Sequence, residues 1–215
     1  APPNESLMRR CSSNMLKSRL IMGAQIFRFN PYEKDNIEVK KLGGTNMIVR
    51  KSCLLKIGGF DEDFLTAADL KLSYDLINKG HGKLIFSGKV IVFHHRRKIF
   101  PNFFLQHFNY SLRISKYFKI FKGIELLKCF GSVVFVLCNI IGLFVCFFSS
   151  NFCIIYFSSL FLYASICIFE SIVVSNKHLI EILITGIGLF LYNFIIGIGC
   201  LSSFLTRGRI FIKSR

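Results

Sequence analysis

Three long apolar runs fill the second half of this 215-residue chain. Cys129–Phe148 holds 20 residues without a charge, enough to cross roughly 30 Å of hydrocarbon as a helix. Glu125 and Lys128 stand just before it, three apart on one helical face, where they can pair and snorkel. After Ser149-Ser150-Asn151 a second run extends from Phe152 to Val174, with Glu170 near its end. Ser175-Asn176-Lys177-His178 separates it from a third run, Leu179 to Leu205, which contains Glu181. The pattern predicts membrane helices over 124–148, 152–174 and 179–205, with a basic tail at 206–215. Both acids flank the loop shared by the second and third runs, which predicts a headgroup-level position over a buried ion pathway.

The first half alternates differently. Residues 14–29 are mixed, and Asn30–Lys41 reads as a polar loop holding Pro31, Asp35 and Asn36. Gly43-Gly44 opens Thr45–Val49, a short β-prone run. Lys51–Ile57 reads as a helix stopped by Gly58-Gly59, since glycine suits the residue beyond a helix end. Thr66 is a candidate N-cap for a helix to about Asn78, with Leu70, Tyr74 and Ile77 as its expected buried face. Lys83–Phe86 and Val90–Phe93 read as strands. This α/β layout over 1–98 has too few strands for a whole doubly wound domain. Residues 99–123 mix aromatics with Arg113, Lys116, Lys119 and Lys122 and contain no acid. Phe104, Phe108, Leu112 and Ser115 fall on one stripe, which predicts a basic helix lying in the membrane interface. The alternative is an ordinary helix packed on its neighbours with solvated charges.

Charge sharpens the partition. Of 28 Lys and Arg residues, 22 lie in residues 1–123; between Cys129 and Leu205 the charged residues are Glu170, Lys177 and Glu181. The basic load places the polar half on the cytoplasmic face. Three crossings would then leave Arg207, Arg209, Lys213 and Arg215 on the far side, against that same tendency. Either the N-terminal load overrides the rule, or the run with Gly186, Gly188, Gly197 and Gly199 does not cross simply; three crossings are the expectation. A net charge of +16 could serve nucleic acid by charge alone, but tethering to a bilayer argues against that partner. The eight cysteines include no C-x-x-C, and six lie inside apolar segments. They read as free thiols acting as small apolar residues, which fits a reducing compartment for the polar half. The first residue is Ala1, with no signal peptide ahead of the polar half, and the N-terminus reads as a cut or processed end.

Three clusters could carry chemistry. Asp61-Glu62-Asp63 has the D-x-D form that holds a divalent ion against a diphosphate, but it follows Gly58-Gly59-Phe60, where Asp serves turns, and it reads as structural. Asp69 sits at a helix start, where the dipole favours its carboxylate, after the small residues Ala67-Ala68; it is either a functional acid or a plain helix-start acid. His94-His95-Arg96-Arg97 offers a metal-binding or titrating histidine and arginines suited to diphosphate. A basic patch against anionic lipid accounts for these residues equally well.

Taken together, GGTNMIVRKSCLLKIGGFDEDF, AADLKLSYDLINKGHGKLIF and VIVFHHRRKIFPNFFLQHFNY resemble the second half of family 2 glycosyltransferases of the GT-A fold. The likeness is to membrane-anchored bacterial members that build exopolysaccharide or lipid-linked glycans, and it covers about residues 1–120. It implies an incomplete GT-A half-domain followed by about three transmembrane helices in a bacterial cytoplasmic membrane. The implied activity is metal-dependent transfer of a sugar from a nucleotide-diphosphate donor to a glycan or lipid-linked acceptor. By the resemblance, Asp69 falls on the general base and His94 on a histidine that completes the metal shell in some members. Gly44 and Asn46 fall in the loop near the donor sugar, Arg96 and Arg97 near the diphosphate or acceptor, and Gln106 opens a Q-x-x-x-Y stretch at the membrane entrance. The divalent metal, Mg or Mn, is expected to be held mainly by a donor-binding half that the family carries ahead of these motifs. That half would come from a longer chain or from a separate partner chain, and residues 1–215 alone are expected to be inactive. Ala68 stands where the family usually has Glu, which weakens the match at the base. The alternative from another class is a non-catalytic membrane scaffold or partner subunit of a polysaccharide synthesis complex.

Overall fold

The computed structural model describes residues 2–29, 35–62, 64, 67–117, 124–176 and 178–207. The chain is mostly helical and divides into two compact units, Phe27–His94 and Ala1–Ile26 with His95–Arg215.

The 27–94 unit contains two three-residue strands, β1 (Ile37–Val39) and β2 (Leu84–Phe86), paired antiparallel with Ile37 opposite Phe86 and Val39 opposite Leu84. Helix α3 (Lys51–Lys56) ends where Gly58 and Gly59 take φ of +85° and +86°, and Gly59 N–H returns to Leu54 O at 3.0 Å. Glycine adopts this left-handed backbone without steric cost. Helix α4 (Ala68–Asn78) places Leu72 and Leu76 against Leu84, with Val39, Leu42, Met47, Val49, Cys53, Leu54, Ile57 and Ile77 around them.

Four expectations change here. β1 lies inside the segment read as a polar loop, because its partner is 47 positions away and invisible to local pattern. Thr45–Val49 forms no strand: Gly44–Asn46 is a 3-10 turn and the rest is irregular. Val90–Phe93 likewise forms no strand, and all four side chains are exposed, since no described strand pairs with it. The buried face of α4 is Leu72, Ser73, Asp75 and Leu76; of the expected Leu70, Tyr74 and Ile77, Ile77 packs partly buried against it, and Leu70 and Tyr74 are half-buried. Ser73 is tolerated there because its hydroxyl donates to Asp69 O at 2.7 Å and accepts from Leu42 N–H at 3.2 Å. Thr66, the candidate cap, lies outside the described residues; Ala67 occupies the N-cap, with φ +60°.

The other unit opens with α1 (Leu7–Lys17) and the single turn α2 (Arg19–Met22). It continues through α5 (Phe104–Ser111) and a 3-10 turn at Ile114–Tyr117; residues 118–123 of the expected interfacial helix lie outside the described residues. Three long helices follow: α6 (Ile124–Cys146), α7 (Ser150–Val174) and α8 (Leu179–Thr206). All three are long and apolar enough to cross a membrane. Small residues on α8 set the packing. A Cβ on Gly197 would fall 2.2 Å from Ser132 O, and one on Gly199 would fall 1.9 Å from Ser111 Oγ, so only glycine admits α6 and α5 this closely. The stripe Phe104, Phe108 and Leu112 turns inward, Phe104 and Leu112 being buried and Phe108 touching the Gly199 position. Where α6, α7 and α8 meet, a polar chain runs from Ser132 Oγ to Asn193 Oδ1 (3.2 Å), from Asn193 Nδ2 to Tyr163 OH (2.9 Å), and on to Leu189 O. Inside an apolar bundle such groups must satisfy one another.

Both acids of the α7–α8 hairpin are held by the start of the chain. Glu181 is fully buried and accepts from Arg10 Nε at 3.1 Å and Asn14 Nδ2 at 2.5 Å. Glu170 accepts from Ser18 Oγ at 3.0 Å and Arg19 N–H at 2.5 Å. Helix α1 is thus fastened to α8 through Glu181, and the start of α2 to α7 through Glu170, contacts spanning about 150–170 positions that no local pattern announces.

Candidate functional site

Asp69 stands in the first turn of α4, where unpaired helix N–H groups favour a carboxylate. Its Oδ2 accepts from Gly44 N–H and its Oδ1 from Leu70 N–H, both at 3.0 Å. A Cβ on Gly44 would sit 3.4 Å from Asp69 Cβ, so the Gly43-Gly44 backbone passes directly over the acid. Arg28 completes this corner. Its guanidinium fills the space a side chain on Gly43 would take, 1.7 Å from such a Cβ. Burial lowers the Arg28 pKa from its ordinary value, while the negative charge of Asp69 works to raise it.

Two of the expected residues, Gly44 and Asp69, therefore meet. Asn46 lies in the same turn, but its Nδ2 is engaged with Val90 O at 3.1 Å. His94 is exposed at the end of the 27–94 unit. Arg96 and Arg97 belong to the other unit. There Arg97 O accepts from Ser12 Oγ at 2.7 Å, and Arg96 bears electrostatically on His107. Burial, with the Arg96 charge adding to it, pushes His107 down to about 4, so its ring is neutral; Nδ1 lies 3.0 Å from Tyr192 OH. Gln106 Nε2 donates to Tyr110 OH at 2.7 Å, linking both ends of the Q-x-x-x-Y stretch. His95 is engaged by Glu5, 2.7 Å from Nδ1.

Asp61 faces inward to Lys71 at 3.2 Å, and Lys71 also pairs with Asp75. Burial works against the Lys71 ammonium, yet the two carboxylates hold its pKa above the ordinary lysine value. Asp63 lies outside the described residues. Among the described residues no group of three or more His, Cys, Asp or Glu side chains could hold a metal ion. Asp69 and His94 do not by themselves constitute a site for one.

Sequence reasoning missed Arg28. It lies between Phe27 and Phe29 in a stretch without periodicity, and a single cation flanked by aromatics was the one signal on offer. The corner sets a carboxylate beside a backbone loop and a half-buried cation, a setting in which a carboxylate can accept a hydrogen bond from a hydroxyl. No protein-family model matches the chain, and no curated protein or solved structure is significantly similar to it.

Proposed function

We propose that this chain is the acceptor-side part of a membrane-bound glycosyltransferase of the family 2, GT-A type. It would move a sugar from a nucleotide-diphosphate donor to a polysaccharide or lipid-linked acceptor at the cytoplasmic face of a bacterial membrane. The observation that carries this reading is the Asp69 corner. Two motif residues 25 positions apart, Gly44 and Asp69, are joined by a hydrogen bond at the start of a helix. Asp69 acts as the base that takes the proton of the attacking hydroxyl. Gly44 and Asn46 line the approach of the sugar, and Arg96 and Arg97 serve the diphosphate or the acceptor. The apolar helices that follow hold this chemistry at the bilayer surface, where a lipid-linked acceptor is concentrated.

A divalent ion and the donor nucleotide are assigned to polypeptide other than these residues, with His94 as the one residue here that would reach the ion. Residues 1–215 alone are therefore expected to give no turnover with any nucleotide sugar, and measurable turnover would overturn that assignment. In the complete enzyme, Asp69→Asn is expected to lower transfer by about 10²–10⁴-fold with helix content and membrane insertion unchanged. Full activity in that variant would overturn the reading and favour a non-catalytic scaffold.

A further inference from the structure

The α6–α7 turn brings two thiols together. Cys146 is the last residue of α6 and Cys153 lies in the first turn of α7, with Phe147-Phe148-Ser149 between the helices. Cys153 Sγ donates to Cys146 O at 3.4 Å, and the two side chains are within hydrogen-bonding reach of each other. The hairpin is tight one turn further in, where a Cβ on Gly142 would fall 2.5 Å from the Tyr156 ring. Tyr156 OH also donates to Asn139 Oδ1 at 3.1 Å, so the register that opposes the two cysteines is fixed on its inner side. Both thiols are half-buried and reachable from the turn. A second pair, Cys129 and Cys200, is also in mutual contact, but it is buried among Val133, Ile114, Ile196, Leu201 and Phe204. The difference between the pairs is access.

The turn also differs in charge from the segments before α6. Residues 147–151 contain no Lys or Arg, whereas 22 of the 28 basic residues precede residue 124. Under the positive-inside tendency the turn faces away from the cytoplasm, into a compartment where thiol pairs are oxidised. We infer that Cys146 and Cys153 form a disulfide in the native membrane, pinning the mouth of the α6–α7 hairpin on the exported face. This rests on the sidedness of the proposed function, with the polar half in the cytoplasm.

The chemistry is thiol–disulfide exchange with a disulfide-bearing oxidant, protein or small molecule. One thiolate attacks the oxidant's S–S bond and expels one of its sulfurs as a thiolate. The second cysteine thiolate then displaces the remaining sulfur. One S–S bond is broken and one formed; the two S–H protons pass through water to the oxidant's sulfurs, which leave as two thiols. Cys129 and Cys200 stay reduced because no oxidant reaches them.

The test uses the chain in its own membrane. Cells are acid-quenched, denatured and alkylated with N-ethylmaleimide, then reduced and alkylated with an isotopically heavy maleimide, and the peptides are read by mass spectrometry. Cys146 and Cys153 are expected to carry only the heavy label, and Cys129 and Cys200 only the light one. In Cys146→Ser, Cys153 is expected to move to the light label. Light label on both Cys146 and Cys153 of the unaltered chain overturns the proposal. Sidedness is read separately with Asn151→Cys in intact cells and a membrane-impermeant maleimide. Labelling from outside together with light label at Cys146 and Cys153 sinks the disulfide while leaving the orientation standing. Failure to label from outside overturns the orientation, and the disulfide with it.

Discussion

The two units differ in how they finish their interiors. In the helical unit, buried polar groups answer one another in pairs and chains, as with Glu181 and Arg10 or Ser132, Asn193 and Tyr163, while glycines let backbones close up. Among the described residues, the 27–94 unit fully buries Leu72 and Leu76 of α4 and Leu84 of β2, with eight apolar side chains partly buried around them. It leaves Ile48 91% exposed and Phe93 69% exposed, with Val90, Ile91, Val92 and Phe60 also in the open. So small an apolar cluster is marginal, because a short chain buries too little surface to offset its lost entropy. The helical unit is held by close approach and specific hydrogen bonds, and the smaller one by a single small apolar cluster.

That contrast can be broken at its weakest point first. Leu76→Ala removes one of three core side chains and should cost about 2–5 kcal/mol. Hydrogen exchange across 27–94 is expected to rise toward that of an unfolded segment while α6, α7 and α8 keep their protection. Loss of protection in both units would show that they are not separately stable. In the helical unit, Gly197→Leu drives a side chain into Ser132 O and Val136 and should destabilise by about 1–3 kcal/mol, read as thermal unfolding in detergent. Gly131→Leu is the matched control. Nothing lies within 4 Å of a Cβ there, and its change should stay within about 0.5 kcal/mol. Ser203→Ala sharpens the comparison further. It removes the hydroxyl that accepts from Ser115 N–H at 3.1 Å and donates to Ser115 Oγ at 2.9 Å. The expected loss is about 1 kcal/mol, because in the unfolded chain within the membrane the same groups also find partners.

What the sequence announced follows the same line. The apolar runs are written in composition, and α6, α7 and α8 fall on them. The stop of α3 at Gly58-Gly59 and the start of α4 around Asp69 are local backbone chemistry, legible from a few residues. β1 was not legible, because a three-residue strand exists only through a partner far along the chain. Val90–Phe93 shows the converse: β-branched residues state a preference, and without a strand beside them it goes unexpressed. In the candidate site, Asp69 and Gly44 could be named from motif resemblance and helix-start chemistry. Arg28 could not, since its place above Gly43 comes from tertiary packing. The anchoring of Arg10 and Asn14 on Glu181 was hidden for the same reason; it joins the first helix to the last.

The smallest expected effect tests how α1 begins. Glu5, just before α1, is buried and accepts from Arg9 Nη1 at 3.3 Å, with His95 Nδ1 2.7 Å from its other oxygen. Burial raises its pKa, but the hydrogen bonds from His95 and Arg9 and the His95 charge outweigh that, and the net shift is below the ordinary value of 4.5. A carboxylate with a lower pKa folded than unfolded contributes stability that is complete above the unfolded value. That contribution fades as pH falls through the folded one. Protection of the first-turn amides of α1 should therefore hold at neutral pH and weaken only at pH below about 4.5. Glu5→Gln should abolish that acid-side dependence, and His95→Ala should shrink it, because Arg9 still holds the carboxylate. An unchanged pH profile in Glu5→Gln would show that the Glu5 carboxylate, with its Arg9 and His95 partners, does not carry the acid sensitivity of this helix start.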